Sequence, residues 1–331
     1  MIYSTQNPLV SIVVPTRNRC NPLRDCLATL ISQDYPAERY EIVVVDDGST
    51  DDTKKVVTEM TALTRSPFVR YLCHSGGVNA ARNRGIAASS GSIVGFIDDD
   101  ELAPSQLLGV AVRLLIDNAS AVAVGGEYRS RLEGKRPRFV CTNCTENYKS
   151  IRAPRETRSA IVDDLPGGCV FLRREAFEKY GLFAESLSGP GDDSEWFRRT
   201  REGDGTLLQS PELWIWHRMT ERDFRPGPLV KKHVFGTANL VAARQLMGWD
   251  SGSRDEVMQA LNFLGHGLRR GCVVGLARGL GQSALAVRWM RATHGNRSHW
   301  VRRTSWILRS VISPLTAWGF EKRLGLGHRT P

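Results

Sequence analysis

The sequence has no low-complexity tract and no long apolar run free of charge. Its seven cysteines, at 20, 26, 73, 141, 144, 169 and 272, are odd in number and scattered. The first absence excludes a disordered polymer, and the thin cysteine content excludes a small disulfide scaffold. The nearest approach to a membrane span, 310–320, is interrupted by Pro314 and falls short of the roughly 18–20 apolar residues a span needs. No positively charged segment followed by an apolar core opens the chain, so a reduced, cytoplasmic protein is expected. Cys141-Thr-Asn-Cys144 has neither a second pair nor a histidine partner nearby, which argues against zinc and reads as loop.

Acidic residues are scarce in the last third. Residues 218–331 hold 19 basic and 6 acidic side chains, a net +13, whereas 1–217 hold 26 and 29, a net −3. The overall +10 of the 331 residues therefore sits in the tail. A basic tail on a near-neutral body suggests an anionic partner such as a membrane surface, a nucleic acid or a phosphorylated substrate. At 41% hydrophobic and 24% charged, the chain can bury one large α/β domain with an appendage, or two domains.

The first half alternates in period. LVSIVVP from Leu9 is a continuous apolar run, TRNRCNPLRDCLATLISQ follows with helical spacing, and YEIVVVDD is a second run, which together read as a β-α-β unit. Asn21 is expected to cap that helix, with Pro22 in its first turn. Further helices are expected from Asp51 or Thr50, over 79–88 and over 104–116. Strands are expected at 68–73, 91–97 and 121–130. Such alternation indicates a largely parallel sheet flanked by helices, with ligands at the C-terminal strand ends. The stretch 131–160, basic and without clear period, reads as a mobile loop over that end. Helical patterns recur at 228–247, 254–269, 280–293 and 299–312.

Acidic clusters fall at those strand ends. VVVDDGSTDDT places Asp46 and Asp47 where a carboxylate can accept hydrogen bonds from a base or ribose, or can simply cap the next helix. FIDDDE at 96–101 crowds like charges after an apolar strand, and a divalent cation bound to a diphosphate would supply the counter-charge, although a solvated acidic loop also fits. GDDSEWFRR at 191–199 sets a second acidic pair at a helix start, as a catalytic pair or as a cap. His217, in LWIWHRM, is a packed or hydrogen-bonded histidine unless the other motifs recruit it.

These segments, with SIVVPTRNR at 11–19, GGVNAARNRG at 76–85 and PGGCVFLRREAF at 166–177, resemble the family 2 glycosyltransferases over about 9–217. The resemblance implies an inverting enzyme with the GT-A fold, a Rossmann-like α/β domain that binds a nucleotide diphosphate sugar. It implies that the backbone near Pro15 and the side chain of Asp47 hold the base, with Asp46 supporting the turn. Arg82 and Asn83 would border the nucleotide, Asp98 would meet the ribose, and Asp99 would lie between it and Asp100 on the metal side. Asp193 would be the catalytic base, with Asp192 and Glu195 beside the acceptor, although the acidic pair here is Asp-Asp where the family more often has Glu-Asp. His217 would contact metal or diphosphate, and Gly167 and Gly168 would let backbone approach the sugar or acceptor.

The expected architecture is thus a catalytic domain over 1–217 and a basic helical extension over 218–331. The expected activity is metal-assisted transfer of a sugar to a glycan or lipid-linked hydroxyl, with Mn2+ or Mg2+ as cofactor. The competing reading is a catalytically silent nucleotide-sugar binder, or a basic protein whose tail binds nucleic acid. Trp289, Trp300 and Trp306, interleaved with arginines over 285–312, suit a nucleic acid and the inner face of an anionic membrane equally well, and the membrane is the expected partner. Packing on the catalytic domain or an oligomer interface is the other use for those helices.

Overall fold

The computed structural model describes residues 7–64, 66–138, 140–141, 158–187 and 192–225. The alternating half forms β1 (Val10–Thr16), α1 (Cys20–Ile31), β2 (Tyr40–Asp46), α2 (Thr53–Ala62), β3 (Phe68–Cys73), α3 (Val78–Ala88), β4 (Ile93–Ile97), β5 (Glu101–Leu102) and α4 (Leu107–Asp117). There follow β6 (Ala121–Leu132), β7 (Ala160–Ile161), β8 (Cys169–Arg173), α5 (Glu175–Tyr180), α6 (Ser194–Glu202) and β9 (Thr206–Met219). The sheet runs β3-β2-β1-β4-β8-β6-β9-β5, with β7 on β9. Strands β3, β2, β1 and β4 are parallel, the block expected from the alternation. From β8 onward the described pairings are antiparallel, with Ile93 opposite Arg173 and Glu101 opposite His217.

The unbroken Val/Ile runs follow from burial on both faces. Ile12, Val14, Ile42 and Val44 enter one core with Leu23, Leu27 and Leu30 of α1, Val56, Val57 and Met60 of α2, and Leu107 and Leu108 of α4. Their neighbours Val13, Val43 and Val45 face the other core, with Ala81 and Ile86 of α3, Phe96, Phe177, Trp196 and Phe197. Each such aliphatic side chain removed from water contributes about 1.5–3 kcal/mol. Helix α3 lies close against β1, since a Cβ at Gly85 would stand 2.3 Å from Cγ1 of Val13.

Two local expectations change. Helix α1 begins at Cys20, one residue ahead of the expected cap Asn21, because the Cys20 N–H donates to Asp51 Oδ2 at 3.0 Å. Helix α2 starts at Thr53, whose N–H and hydroxyl both donate to Asp51, and these bonds hold that carboxyl down to about 2. One aspartate therefore serves the starts of two helices.

Residues 7–131 and 158–218 belong to one compact unit, and 132–141 and 219–225 to a second. The helical stretches expected after 228, Cys144 and most of the expected loop at 131–160 lie outside the described residues. Among the described residues no helix is long and apolar enough to cross a membrane.

Candidate active site

The site is assembled where β1, β2 and β4 end together. Pro15 pairs in register with Val45, which brings the end of β1 beside Asp46, the last residue of β2, and Asp47 after it. Asp46 is buried, accepting the Ser49 N–H at 2.8 Å and the Tyr71 hydroxyl at 2.7 Å, so it supports the turn as expected. Burial and this hydrogen bond push the Tyr71 phenol up. Gly48 in that turn has φ +75°, a conformation suited to glycine. Asp47 Oδ1 accepts the N–H groups of Gly76 and Gly77, at 2.9 and 3.0 Å, and Arg17 stands 3.4 Å from Oδ2. Asp47 thereby ties the end of β2 to the glycine pair that opens α3.

The second cluster follows β4. Asp99 is buried between the strand ends, accepting the Thr16 hydroxyl at 2.8 Å and Arg19 Nη1 at 2.6 Å. Burial, reinforced by Asp100, pushes its carboxyl up to about 6 against the pull of Arg19 and Thr16. Asp99 is therefore a clamp between β1 and β4 rather than a side chain presented to a donor. Asp100 accepts Arg19 Nη2 at 3.0 Å.

Pairing of β5 with β9 sets Glu101 opposite His217. His217 Nδ1 lies 3.0 Å from Glu101 Oε1 and 3.9 Å from Asp100 Oδ1, and both His217 and Glu101 are buried. Ligand atoms of Asp100, Glu101 and His217 all fall within 4.8 Å of one another. Two carboxylates and an imidazole form a donor set that fits a divalent cation. Glu101 was not singled out from the sequence, although it stands in the same acidic run.

A glycine pair joins this cluster to the third. The Gly168 N–H donates to the Tyr128 hydroxyl at 2.7 Å, and a Cβ there would stand 2.4 Å from Asp98 Oδ2. A Cβ on Gly167 would stand 2.2 Å from Asp193 Oδ2, which accepts the Gly167 N–H at 3.1 Å. Two consecutive glycines thus bring Asp98 and Asp193 to the same stretch of backbone. Asp193 also caps α6, taking the Ser194 N–H on Oδ1.

Helix α3 holds the approach to that helix. Asn79 donates to the carbonyls of Ala184 and Asp192, at 2.9 and 3.0 Å. Asn83, expected to border the nucleotide, donates to Phe183 O and Glu185 and accepts the Phe183 N–H, so both ends of its amide are engaged within the chain. Arg82 lies 2.8 Å from Asn79 Oδ1 and 3.4 Å from Asp192. Burial alone would lower the Arg82 pKa, but the nearby carboxylates of Asp192, Asp193 and Asp98 outweigh it and raise it. Glu195, expected beside the acceptor, instead makes a two-point ion pair with Arg199, at 2.8 and 3.0 Å. Asn79 and Tyr128 were missed because an isolated amide or phenol carries no motif.

A family model described as glycosyl transferase family 2 matches residues 11–181, just over half of the chain. Among curated proteins, the chain is 29% identical over 229 residues to glycosyltransferase AglE of Haloferax volcanii, 68% of this chain and 70% of that protein. It is 29% identical over 216 residues to the validoxylamine A glucosyltransferase of Streptomyces hygroscopicus subsp. jinggangensis, spanning 63% of this chain but 43% of that longer protein. A solved structure of mannosyltransferase PcManGT from Pyrobaculum calidifontis, in complex with GDP-Man and Mn2+, superposes with a TM-score of 0.58. Sequence identity there is 20%, over 97% of this chain and 84% of that one.

Proposed function

Because the chain belongs to glycosyl transferase family 2 and is a glycosyltransferase of GT-A fold, we propose that it transfers a sugar with inversion from a nucleotide diphosphate sugar to an acceptor hydroxyl. The observation that carries this reading is the glycine pair with Asp98 on one side and the helix-capping Asp193 on the other. The proposed base then lies near the acidic run that ends β4, and an inverting displacement requires no enzyme nucleophile.

In this reading Asp193 takes the proton of the acceptor hydroxyl. Its oxygens accept one N–H each, from Ser194 and Gly167, which orients the carboxylate and leaves further lone pairs for that proton. The acceptor oxygen forms its bond to the anomeric carbon as the bond to the diphosphate breaks, and the electron pair leaves with the diphosphate. Arg82 compensates the charge of Asp192, so the acidic pair carries a net single charge beside the reacting centre. Pro15 and Asp47 border the base, and Asp98 the ribose. Asp100, Glu101 and His217 would hold a divalent cation, manganese or magnesium, which when bound offsets negative charge on the leaving diphosphate. The Mn2+ and GDP-Man named with the Pyrobaculum structure support a metal and a nucleotide-sugar donor.

The proposed acceptor is a glycan or lipid-linked hydroxyl. The tail, net +13 over 218–331, is proposed to hold the enzyme at the inner face of an anionic membrane. Replacing Asp193 with Asn tests the chemistry, because an amide oxygen is too weak a base to accept the proton. Transfer should be abolished while metal-dependent nucleotide affinity stays within about twofold, and wild-type turnover would remove the assignment.

A further inference from the structure

Arg19 bridges two carboxylates with one guanidinium, Nη1 at 2.6 Å from Asp99 Oδ1 and Nη2 at 3.0 Å from Asp100 Oδ2. The two partners differ in kind. Asp99 is buried and also fastened by Thr16, whereas Asp100 contributes to the three-residue donor set with Glu101 and His217. The Arg19 side chain is 45% exposed, so it can turn about Asp99 without leaving it. A cation held by Asp100 would stand a few ångströms from this fixed positive charge, and the two would repel. A diphosphate beside the cation removes that conflict, and the planar fork of a guanidinium matches phosphate oxygens.

We propose that Arg19 is an internal counter-cation exchanged during donor binding. It neutralises the Asp99–Asp100 pair until a divalent cation arrives with a nucleoside diphosphate. It then releases Asp100, keeps Asp99 and turns its freed N–H donors onto the diphosphate. The inference rests on the metal-assisted reading above and adds a positioning residue from the β1–α1 loop. Its consequence is synergy: the cation binds weakly alone and tightly with nucleotide, and by linkage the nucleotide gains equally from the cation.

The test is Mn2+ binding to the full chain, read from the spin-resonance signal of the free ion, with and without GDP or UDP. Wild type, Arg19→Gln, Arg19→Lys and Asp100→Asn are compared, with thermal unfolding as the check on folding. Arg19→Gln should bind Mn2+ alone about tenfold more tightly than wild type, the order expected from removing one charge near a dication. The gain in Mn2+ affinity on adding nucleotide should shrink by a similar factor. Unchanged or weaker Mn2+ binding in a folded Arg19→Gln protein overturns the proposal. Should that variant unfold, Arg19→Lys decides. It keeps the charge but not the two-point fork, so Mn2+ alone should bind as in wild type while nucleotide affinity with Mn2+ falls about tenfold. Unchanged nucleotide affinity then overturns it. Asp100→Asn separates the two readings: if it leaves Mn2+ affinity intact, the metal site fails. If it abolishes binding while the Arg19 variants behave as wild type, the counter-cation role alone fails.

Discussion

Gly167→Ala adds one methyl group beside Asp193 without changing any charged or polar side chain. A Cβ at this position would stand 2.2 Å from Oδ2, 3.0 Å from Cγ and 3.1 Å from Cβ of Asp193. Gly167 does not occupy the left-handed region, so the cost is steric rather than conformational. Restoring an ordinary contact requires the carboxylate to move by roughly 1 Å, which breaks its 3.1 Å bond to the Gly167 N–H. Overpacking of this kind costs about 1–3 kcal/mol, a fall in Tm of a few degrees for a domain of this size. A misplacement of about 1 Å at a reacting group costs on the order of 10²-fold in rate. The expected result is a kcat for sugar transfer lower by about 10²-fold, with nucleotide affinity in Mn2+ within about twofold of wild type. A double-mutant cycle on unfolding free energy with Asp193→Ala completes the assay, since a steric loss that acts through the Asp193 carboxylate should largely vanish once that group is removed. Wild-type kcat in the Gly167→Ala variant, or a full additive loss in that background, would refute the reasoning.

Three other outcomes follow from the same geometry. Asp100→Asn removes a hard anionic ligand and should weaken Mn2+-dependent binding of nucleoside diphosphates by at least about tenfold, read by calorimetry with and without metal. Asn83→Ala strips three hydrogen bonds from the segment 183–185 and should cost about 1–3 kcal/mol in urea unfolding, whereas a change under 0.5 kcal/mol would deny it the clamping role. Co-sedimentation with vesicles should require anionic lipid, fall with salt and vanish on truncation after about residue 280. Equal pelleting with neutral lipid would remove the membrane proposal and leave the transferase untouched.

Strands β1, β2 and β4 were legible because burial on both faces leaves only apolar residues, and helices α1 to α4 because one covered face repeats with helical period. The strand at 121–130 was legible too, but the antiparallel pairing of that half was not. Nothing local in LWIWHRM announces that His217 will lie opposite Glu101, 116 residues earlier, since strand pairing at that separation leaves no periodic trace. The acidic run was legible as a cluster, but its division of labour was not: Asp99 is consumed by Thr16 and Arg19, and Glu101 is the member that meets the histidine. Asn83 and Glu195 were read as facing ligands because the resemblance to the family placed them in its nucleotide-bordering segment and beside its acidic pair. Asn83 finds Phe183 100 residues away, which no local pattern announces, whereas Glu195 and Arg199 have the i,i+4 spacing of one helix, a pairing that the sequence could have shown.

The contact between Gly85 and Val13 acts as a spacer gauge. Helix-to-strand separation at this point is set by the missing side chain, and Asn79, Arg82 and Asn83 ride on the same rigid rod a few residues away. Any group at position 85 would wedge the rod outward and lift all three together, slackening the tethers on Phe183, Ala184 and Asp192 without altering one functional atom. A substitution at position 85 should therefore act on the site mechanically rather than chemically. Variation there should trade rate for stability along a single coordinate, whereas variation at Asp193 or Asp100 should change the proposed chemistry itself.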